Sequence, residues 1–214
     1  KKLRPEGKKP QIWDISNLDF NYSHTRQDRH NPLIENEEVR RTRGAVAYNF
    51  SPQPKFIEPL KNIISPKSKW LALIRDFNFN LKPSLISVRA DAFRQFAAIR
   101  SRNVGGPKGV LPETYDKYFI FDRYYSLRWD LTRSITLDFN AINNARVDEP
   151  FGRIDTKAEK DSIRENFFKG GRNTHYHHDA TVSYNLPVAK IPLLDWTNVR
   201  VSYTAKYDWI GASL

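Results

Sequence analysis

The run most suggestive of chemistry is His175-Tyr176-His177-His178-Asp179. Imidazoles at i and i+2 lie on one side of a strand, and such a pair chelates zinc or copper when other ligands complete the shell. No second spaced ligand group accompanies it, and the run follows Gly170-Gly171 just ahead of a strand-like segment. It is expected to be a polar loop at the edge of the structure, with no metal assigned. The 24 acidic residues offer many carboxylate pairs for acid–base work, but no motif frames any of them. Asp130 and Asp138 are instead expected to pair with arginines such as Arg128. Gly105-Gly106 with Lys108-Gly109 lacks the strand–loop–helix frame of a phosphate cradle and reads as a flexible turn. No Ser-His-Asp order, nucleophile elbow or Walker loop occurs, and cysteine is absent, which removes thiolate catalysis and cysteine zinc sites. The expectation is a protein that is not an enzyme and has no cofactor.

Charge raises a different possibility. Lysine and arginine number 35 against 24 acids in 214 residues, a net charge of +11. Such an excess suits nucleic acid, an anionic lipid surface or acidic clients, and also an ordinary solvated surface. Interleaving of the Arg123-Tyr124-Tyr125 and Arg128-Trp129 kind would suit base stacking. Successive residues of a strand point to opposite faces, however. Aromatics and charges are therefore expected to be segregated, and nucleic acid is not assigned as a partner.

The elements that position these residues are mainly strands, because period-2 alternation dominates. Leu18, Phe20 and Tyr22 alternate with polar residues, as do Val46, Tyr48 and Phe50. Phe77, Phe79 and Leu81 predict a third strand, and Ile86, Val88 and Ala90 a fourth. Tyr125 to Leu131 and Ile135 to Phe139 form a hairpin about the tight turn Arg133-Ser134. Ala180 to Leu186 and Val199 to Trp209 complete about eight strands. Two connections read as helical inserts, near 55–65 and 156–169. In the first, Phe56, Ile57, Leu60, Ile63 and Ile64 share a helical face between Pro54 and Pro66. The second has a Thr156 cap, Glu159 three residues on, and a Gly170-Gly171 stop.

One face of these strands is aromatic and the other carries charges of both signs. In a soluble antiparallel sheet one face is solvated and the other covers a core, so alternation alone does not choose an environment. Several runs approach the roughly 9–11 residues that cross a bilayer as tilted strands. Aromatics are expected near strand ends at Trp13, Tyr118, Tyr124, Tyr207 and Trp209, as in interfacial girdles. These features favour an all-β antiparallel transmembrane barrel segment over a soluble sandwich. Pro187 and Pro192 keep LPVAKIPLLDW out of a regular ladder and make it a connection at the rim, with Trp196 at the interface. No run approaches the roughly 18 apolar residues of a membrane helix. Methionine is absent and KKLRPEGKKP has no apolar signal region, so the chain is expected to be an internal segment, residues 1–214 all within one barrel domain.

Three stretches carry a family resemblance: IWDISNLDFNYSHTRQDRHNPLIEN, FIFDRYYSLRWDLTRSITLDFNAINNARVDEPFG and LPVAKIPLLDWTNVRVSYTAKYDW. Together they reach from Ile12 to Trp209 and resemble the SprA/Sov family, the outer-membrane translocon of the Bacteroidetes type 9 secretion system. The resemblance implies an arc of a very large outer-membrane barrel, used in protein secretion and gliding motility, through which folded cargo reaches the cell surface. It also implies accessory secretion proteins at a lateral opening and at the periplasmic mouth. On that reading Leu127, Trp129, Leu137, Phe139 and Tyr203 face lipid. Arg128, Asp130, Asp138, Asn140 and Arg200 line a hydrated lumen, and Tyr207 and Trp209 belong to an aromatic girdle. A small self-contained outer-membrane or ligand-binding barrel, and a soluble basic β domain binding nucleic acid or glycan, remain as alternatives.

Overall fold

Residues with alternating polarity form a ladder only when each strand finds a neighbour for its backbone groups. Here each strand pairs with the next in sequence. The computed structural model describes residues 11–61, 63, 72–106, 109–188 and 196–211. Its strands are β1 (Leu18–Arg29), β2 (Ile34–Phe50), β3 (Leu85–Ser101), β4 (Thr114–Asp130), β5 (Ile135–Arg146), β6 (Arg172–Leu186) and β7 (Val199–Ile210). They form one antiparallel sheet in the order β1-β2-β3-β4-β5-β6-β7. The fold is all-β with little helix, and the sheet is open, since β1 and β7 do not pair with each other. Every residue of both edge strands is exposed.

The strands are longer than alternation alone implies, up to 17 residues in β2, β3 and β4. They also slide steadily past one another. The rung through Leu18, the first residue of β1, runs Tyr48, Val88, Tyr125, Ala141, His178, Tyr207. Val199, which opens β7, lies eight residues before Tyr207 on that strand. The opposite edge drifts the same way: Arg29 ends β1 eleven residues beyond Leu18, while Ile210 ends β7 only three beyond Tyr207. Across six strand steps this is about 27 Å of slip against about 29 Å of width, so the strands tilt by about 43° from the normal to the line of strand ends.

Two expectations fail at the β2–β3 connection. Phe77 to Leu81 is not a strand; Phe79 makes only an isolated bridge to Ile57. Asn78 and Asn80, which supplied the polar half of the alternation, are buried and hold turns instead. Asn78 Oδ1 accepts from the Arg133 N–H at 2.8 Å, and the Asn80 amide donates to the Lys82 carbonyl at 2.8 Å. The helix expected near 55–65 does not form among its described residues, because Ile57 spends its backbone groups on that bridge. Residues 62, 64 and 65 lie outside the described residues. A single helical turn, α1 (Ala72–Arg75), occurs further along.

The second insert forms as expected. Helix α2 (Lys157–Phe168) starts at a capping box in which the Glu159 N–H donates to Thr156 Oγ1 at 3.3 Å and the Thr156 N–H donates to Glu159 Oε2 at 2.9 Å. The Thr156 N–H and hydroxyl, with the Asp155 N–H, hold the Glu159 carboxyl below its usual range. The helix stops at Gly170 and Gly171, whose φ values of 90° and 70° suit glycine. Ile163 is its buried residue.

Candidate functional surfaces: the two faces of the sheet

Register sorts the strand residues into two faces. Leu127 opposes Phe139, Trp129 opposes Leu137, Leu137 opposes Val182, and Val182 opposes Tyr203. The five residues expected to face lipid therefore share one face, here the apolar face. Arg128 opposes Asp138, Ser126 opposes Asn140, and Arg200 opposes Asn185 one residue beyond Tyr184. Arg128, Asp130, Asp138, Asn140 and Arg200 share the other, polar face. Tyr207 and Trp209 lie on the apolar face, at the end of β7 farthest from Val199.

The apolar face is uncovered over its lower half, the end carrying the β4–β5 turn. Thirteen of the sixteen large hydrophobic strand residues that are exposed point to it. Phe20 is 75% exposed and Tyr203 72%. A soluble sheet normally buries such a face against a second layer, and none lies over it among the described residues. On β7 the apolar row Val199, Val201, Tyr203, Ala205, Tyr207, Trp209 is unbroken. It spans about 34 Å along the strand, or about 25 Å along the normal at the tilt given above. The outward apolar band of transmembrane barrels has that height, about 25 Å. At the lower rim the Trp129 indole N–H donates to the Asn80 carbonyl at 2.9 Å, so its polar tip is satisfied while its body stays on the face.

The upper half of this face departs from the expected segregation. Arg40 lies over Phe96 at 5.7 Å, Arg94 over Phe119 at 6.0 Å, and Arg123 over Phe121 at 5.2 Å. Cations and rings thus occupy one face, and on the polar face Arg89 lies 6.0 Å over Tyr124. The rings of β4 are not open platforms, however, because the segment 147–171 folds over them. Phe167 of α2 stacks on Phe119 at 5.4 Å and meets Phe121 at 5.0 Å. Ion pairs fix the same segment. Arg94 Nε is 2.5 Å from Glu149, and Lys117 donates to the carbonyls of Pro150 and Gly152. Arg153 grips Glu113 through two donors at 2.8 and 3.0 Å. That fork, with the Tyr115 hydroxyl at 2.8 Å, holds the Glu113 carboxyl down to about 2 and raises the Arg153 pKa in turn. No periodic signal marks Arg94, Lys117 and Arg153, since these partners are more than thirty positions away in the chain.

The polar face is a lattice of cross-strand hydrogen bonds. Ser126 donates to Asn140 at 2.7 Å, and Asn140 donates to Asp179 at 3.2 Å. Thr181 and Thr204 meet at 2.9 Å, and Asn144 donates to Asp122 at 2.7 Å. Arg128 lies 3.8 Å from both Asp130 and Asp138, as expected of that arginine, and Asp130 also accepts from the Ser84 hydroxyl at 2.5 Å. Arg89 grips Asp91 with two donors, the shorter at 2.8 Å. A shallow depression of about 270 Å³, lined by Arg43, Asp91, Phe93, Ile120, Asp122 and Tyr124, interrupts the lattice. Charges of both signs are consumed locally, which leaves a wettable surface with little preference for one sign.

Two placements correct the sequence expectations. Tyr118 and Tyr124 do not lie at strand ends; both are inside β4 and on the polar face, where Tyr118 donates to Gln95 at 3.2 Å. Trp13 does precede β1 and is 77% exposed. The histidine run is within β6 rather than in a loop, because its backbone pairs with both β5 and β7. His177 and His175 both reach Asp208 Oδ1, at 2.9 and 3.3 Å, while His178 points to the apolar face beside Tyr207. No group of three such ligands fit to hold a metal occurs among the described residues. Trp196 is exposed in the β6–β7 connection, whose residues 189–195 lie outside the described set, as do 107 and 108 of the glycine turn. No protein-family model matches the sequence, and none of the curated proteins matches it.

Proposed function

We propose that this chain is an arc of the wall of a wide outer-membrane β-barrel that conducts proteins, the translocon role implied by its resemblance to the SprA/Sov family. The observation that carries the reading is the sheared strip: a single sheet whose two edges drift together at about 43°, within the roughly 35–45° tilt of closed barrels. A soluble sheet has no need of that drift, and it would cover Phe20, Val201 and Tyr203 with a second layer. A self-contained barrel would pair β1 with β7, which remain open edges. An arc continued by further strands satisfies both edges, as the hydrocarbon core demands of every backbone polar group.

The mechanism is physical. Leu127, Trp129, Leu137, Phe139 and Tyr203 anchor the wall in lipid, and Tyr207 and Trp209 set its depth at the interface. Arg128, Asp130, Asp138, Asn140 and Arg200 line a hydrated passage. Arg128 is balanced by Asp130 and Asp138, while Arg200 reaches the Ser183 hydroxyl, so the passage is mixed in sign and a folded cargo slides without being held. The partners on this reading are secreted cargo, accessory proteins at a lateral opening and the periplasmic mouth, and the bilayer, with the bacterial outer membrane as the location. The test is photo-crosslinking in the intact, secreting protein. A crosslinker at Asp138 or Arg200 captures transiting cargo, and one at Leu137 or Tyr203 captures lipid. Capture of cargo from Leu137 but not Asp138 would overturn the assignment.

A further inference from the structure

The band that faces lipid in the proposed function ends at a feature of its own. Helix α2 meets the sheet through a run of three rings flanked by two guanidinium groups. Arg123 lies 5.2 Å from the Phe121 ring, which lies 5.0 Å from Phe167. Phe167 is 5.7 Å from Phe168, and Phe168 is 5.8 Å from the Arg164 guanidinium. Several cations of the upper half are matched to carboxylates, as Arg94 is to Glu149, Arg153 to Glu113 and Lys169 to Glu165. Arg123 and Arg164 have no carboxylate partner among the described residues. Arg123 reaches only neutral acceptors, the Asn173 side chain at 2.8 Å and the Gly170 carbonyl at 3.4 Å, and its Nε is buried without a partner.

Position adds to chemistry. The rung of Arg123 continues through Asn143 and Tyr176 to Trp209, the residue that closes the apolar row on β7. Arg123 therefore stands where the uncovered apolar face gives way to the segment 147–171. Two ring contacts from it, Phe168 is 74% exposed, an apolar ring left outside the core on a helix whose other aromatic, Phe167, is spent on the sheet. An exposed ring beside the Arg164 guanidinium, near the border of an apolar wall, complements a molecule with an anionic head and an apolar tail. At the lower rim Arg133 also lies over a ring, 5.5 Å from Phe56, but it is 2.6 Å from Glu58, and Arg75 is 2.9 Å from Asp76.

We propose that the α2 rim binds an anionic lipid, its phosphate drawn to Arg164 with Arg123 as the second cation of the rim, and its acyl chains along Phe168 and the apolar face below. Guanidinium groups favour phosphate through planar, charge-assisted donors. The inference rests on the membrane reading above, and the experiment separates the two. The intact protein is reconstituted in vesicles of phosphatidylcholine alone and with phosphatidylglycerol, and bound lipid is counted after extraction.

The expected result is selective retention of phosphatidylglycerol, weakened roughly 30-fold in R123Q/R164Q, at about fivefold per basic residue near the surface. Because Arg123 also braces Gly170, the exposed R164Q and F168S variants are measured alone; each is expected to weaken retention while α2 stays protected from exchange. Inorganic phosphate at millimolar concentration is expected not to displace the lipid, because it has no chain for Phe168 to hold. Equal retention of both lipids, unchanged retention in R164Q and F168S, or displacement by phosphate would overturn the inference while leaving the membrane wall standing. Failure to enter either vesicle would overturn both.

Discussion

Replacing Tyr203 by arginine separates a bilayer-facing wall from a water-facing sheet. Tyr203 lies midway along the row from Val199 to Trp209 and is 72% exposed, so in water the new side chain would meet little but solvent. An exposed surface substitution of that kind changes stability by only about 0.5 kcal/mol. Near the middle of a bilayer the same arginine costs about 2–4 kcal/mol, an equilibrium loss of roughly 30- to 1000-fold. Ser202, its neighbour in the chain, opposes Ser183 on the polar face and is the internal control. Ser202→Arg is expected to stay within about 0.5 kcal/mol of the parent. The assay is the fraction of intact protein that reaches a protease-resistant, membrane-integrated state, measured for both variants under one expression level. Tyr203→Arg is expected to collapse that fraction and Ser202→Arg to preserve it. Equal yields from the two would refute the face assignment.

Two further outcomes follow from the segment 147–171. The Arg153 fork and the Tyr115 hydroxyl hold Glu113 down to about 2, so the stabilisation it contributes is complete above the ordinary carboxylate range and is lost as pH falls toward 2. Glu113→Gln is expected to give, already at pH 4, the pepsin cleavage near Phe151 and Phe168 that the parent gives only near pH 2; identical profiles would count against the fork as the clamp. Gly171→Ala places a Cβ 2.9 Å from the Arg146 carbonyl at a φ of 70°, whereas Gly152→Ala, at 83°, meets nothing nearby. Both bear the left-handed cost of about 1–2 kcal/mol, and only the first adds a backbone clash. Amide exchange in α2 is therefore expected to accelerate more in Gly171→Ala, and equal exchange would show that the turn relaxes.

The lower half of the sheet was legible in the sequence because its alternation maps directly onto the two faces of the sheet. Leu127 and Trp129, or Val201 and Tyr203, repeat at period 2 and so share the apolar face, while Arg128 and Ser202 between them share the polar one. The upper half was not legible. Arg40, Arg94, Lys117 and Arg123 sit on the same face as the apolar rows, so alternation fades at about Ala92 and Arg123 although the backbone stays paired. What keeps β2, β3 and β4 extended there is the ladder itself and the distant carboxylates of Glu149 and Glu113, which no local window contains. The false strand at Phe77 to Leu81 has the opposite cause. Its asparagines alternate with rings, but they serve as turn-holding groups for Arg133 and Lys82 rather than as a solvated strand face. Helix α2 was readable because its start and stop are local: a hydroxyl, a carboxylate three residues later, and two glycines. The assignment of Arg128 to Asp130 and Asp138 followed from strand geometry alone, whereas the bond of His177 to Asp208 needed the β6–β7 register.

The most direct measurement of the central claim is nitroxide accessibility along β7, one label at a time from residue 199 to 209 in the intact protein in lipid vesicles. Oxygen partitions into the bilayer and a water-soluble nickel chelate does not. Labels at 199, 201, 203, 205 and 207 are predicted to be relaxed by oxygen, with a maximum near Tyr203. Those at 200, 202, 204, 206 and 208 are predicted to be relaxed by nickel. A nickel-accessible Tyr203, or the absence of a two-residue period, would contradict the reading of this sheet as a membrane wall.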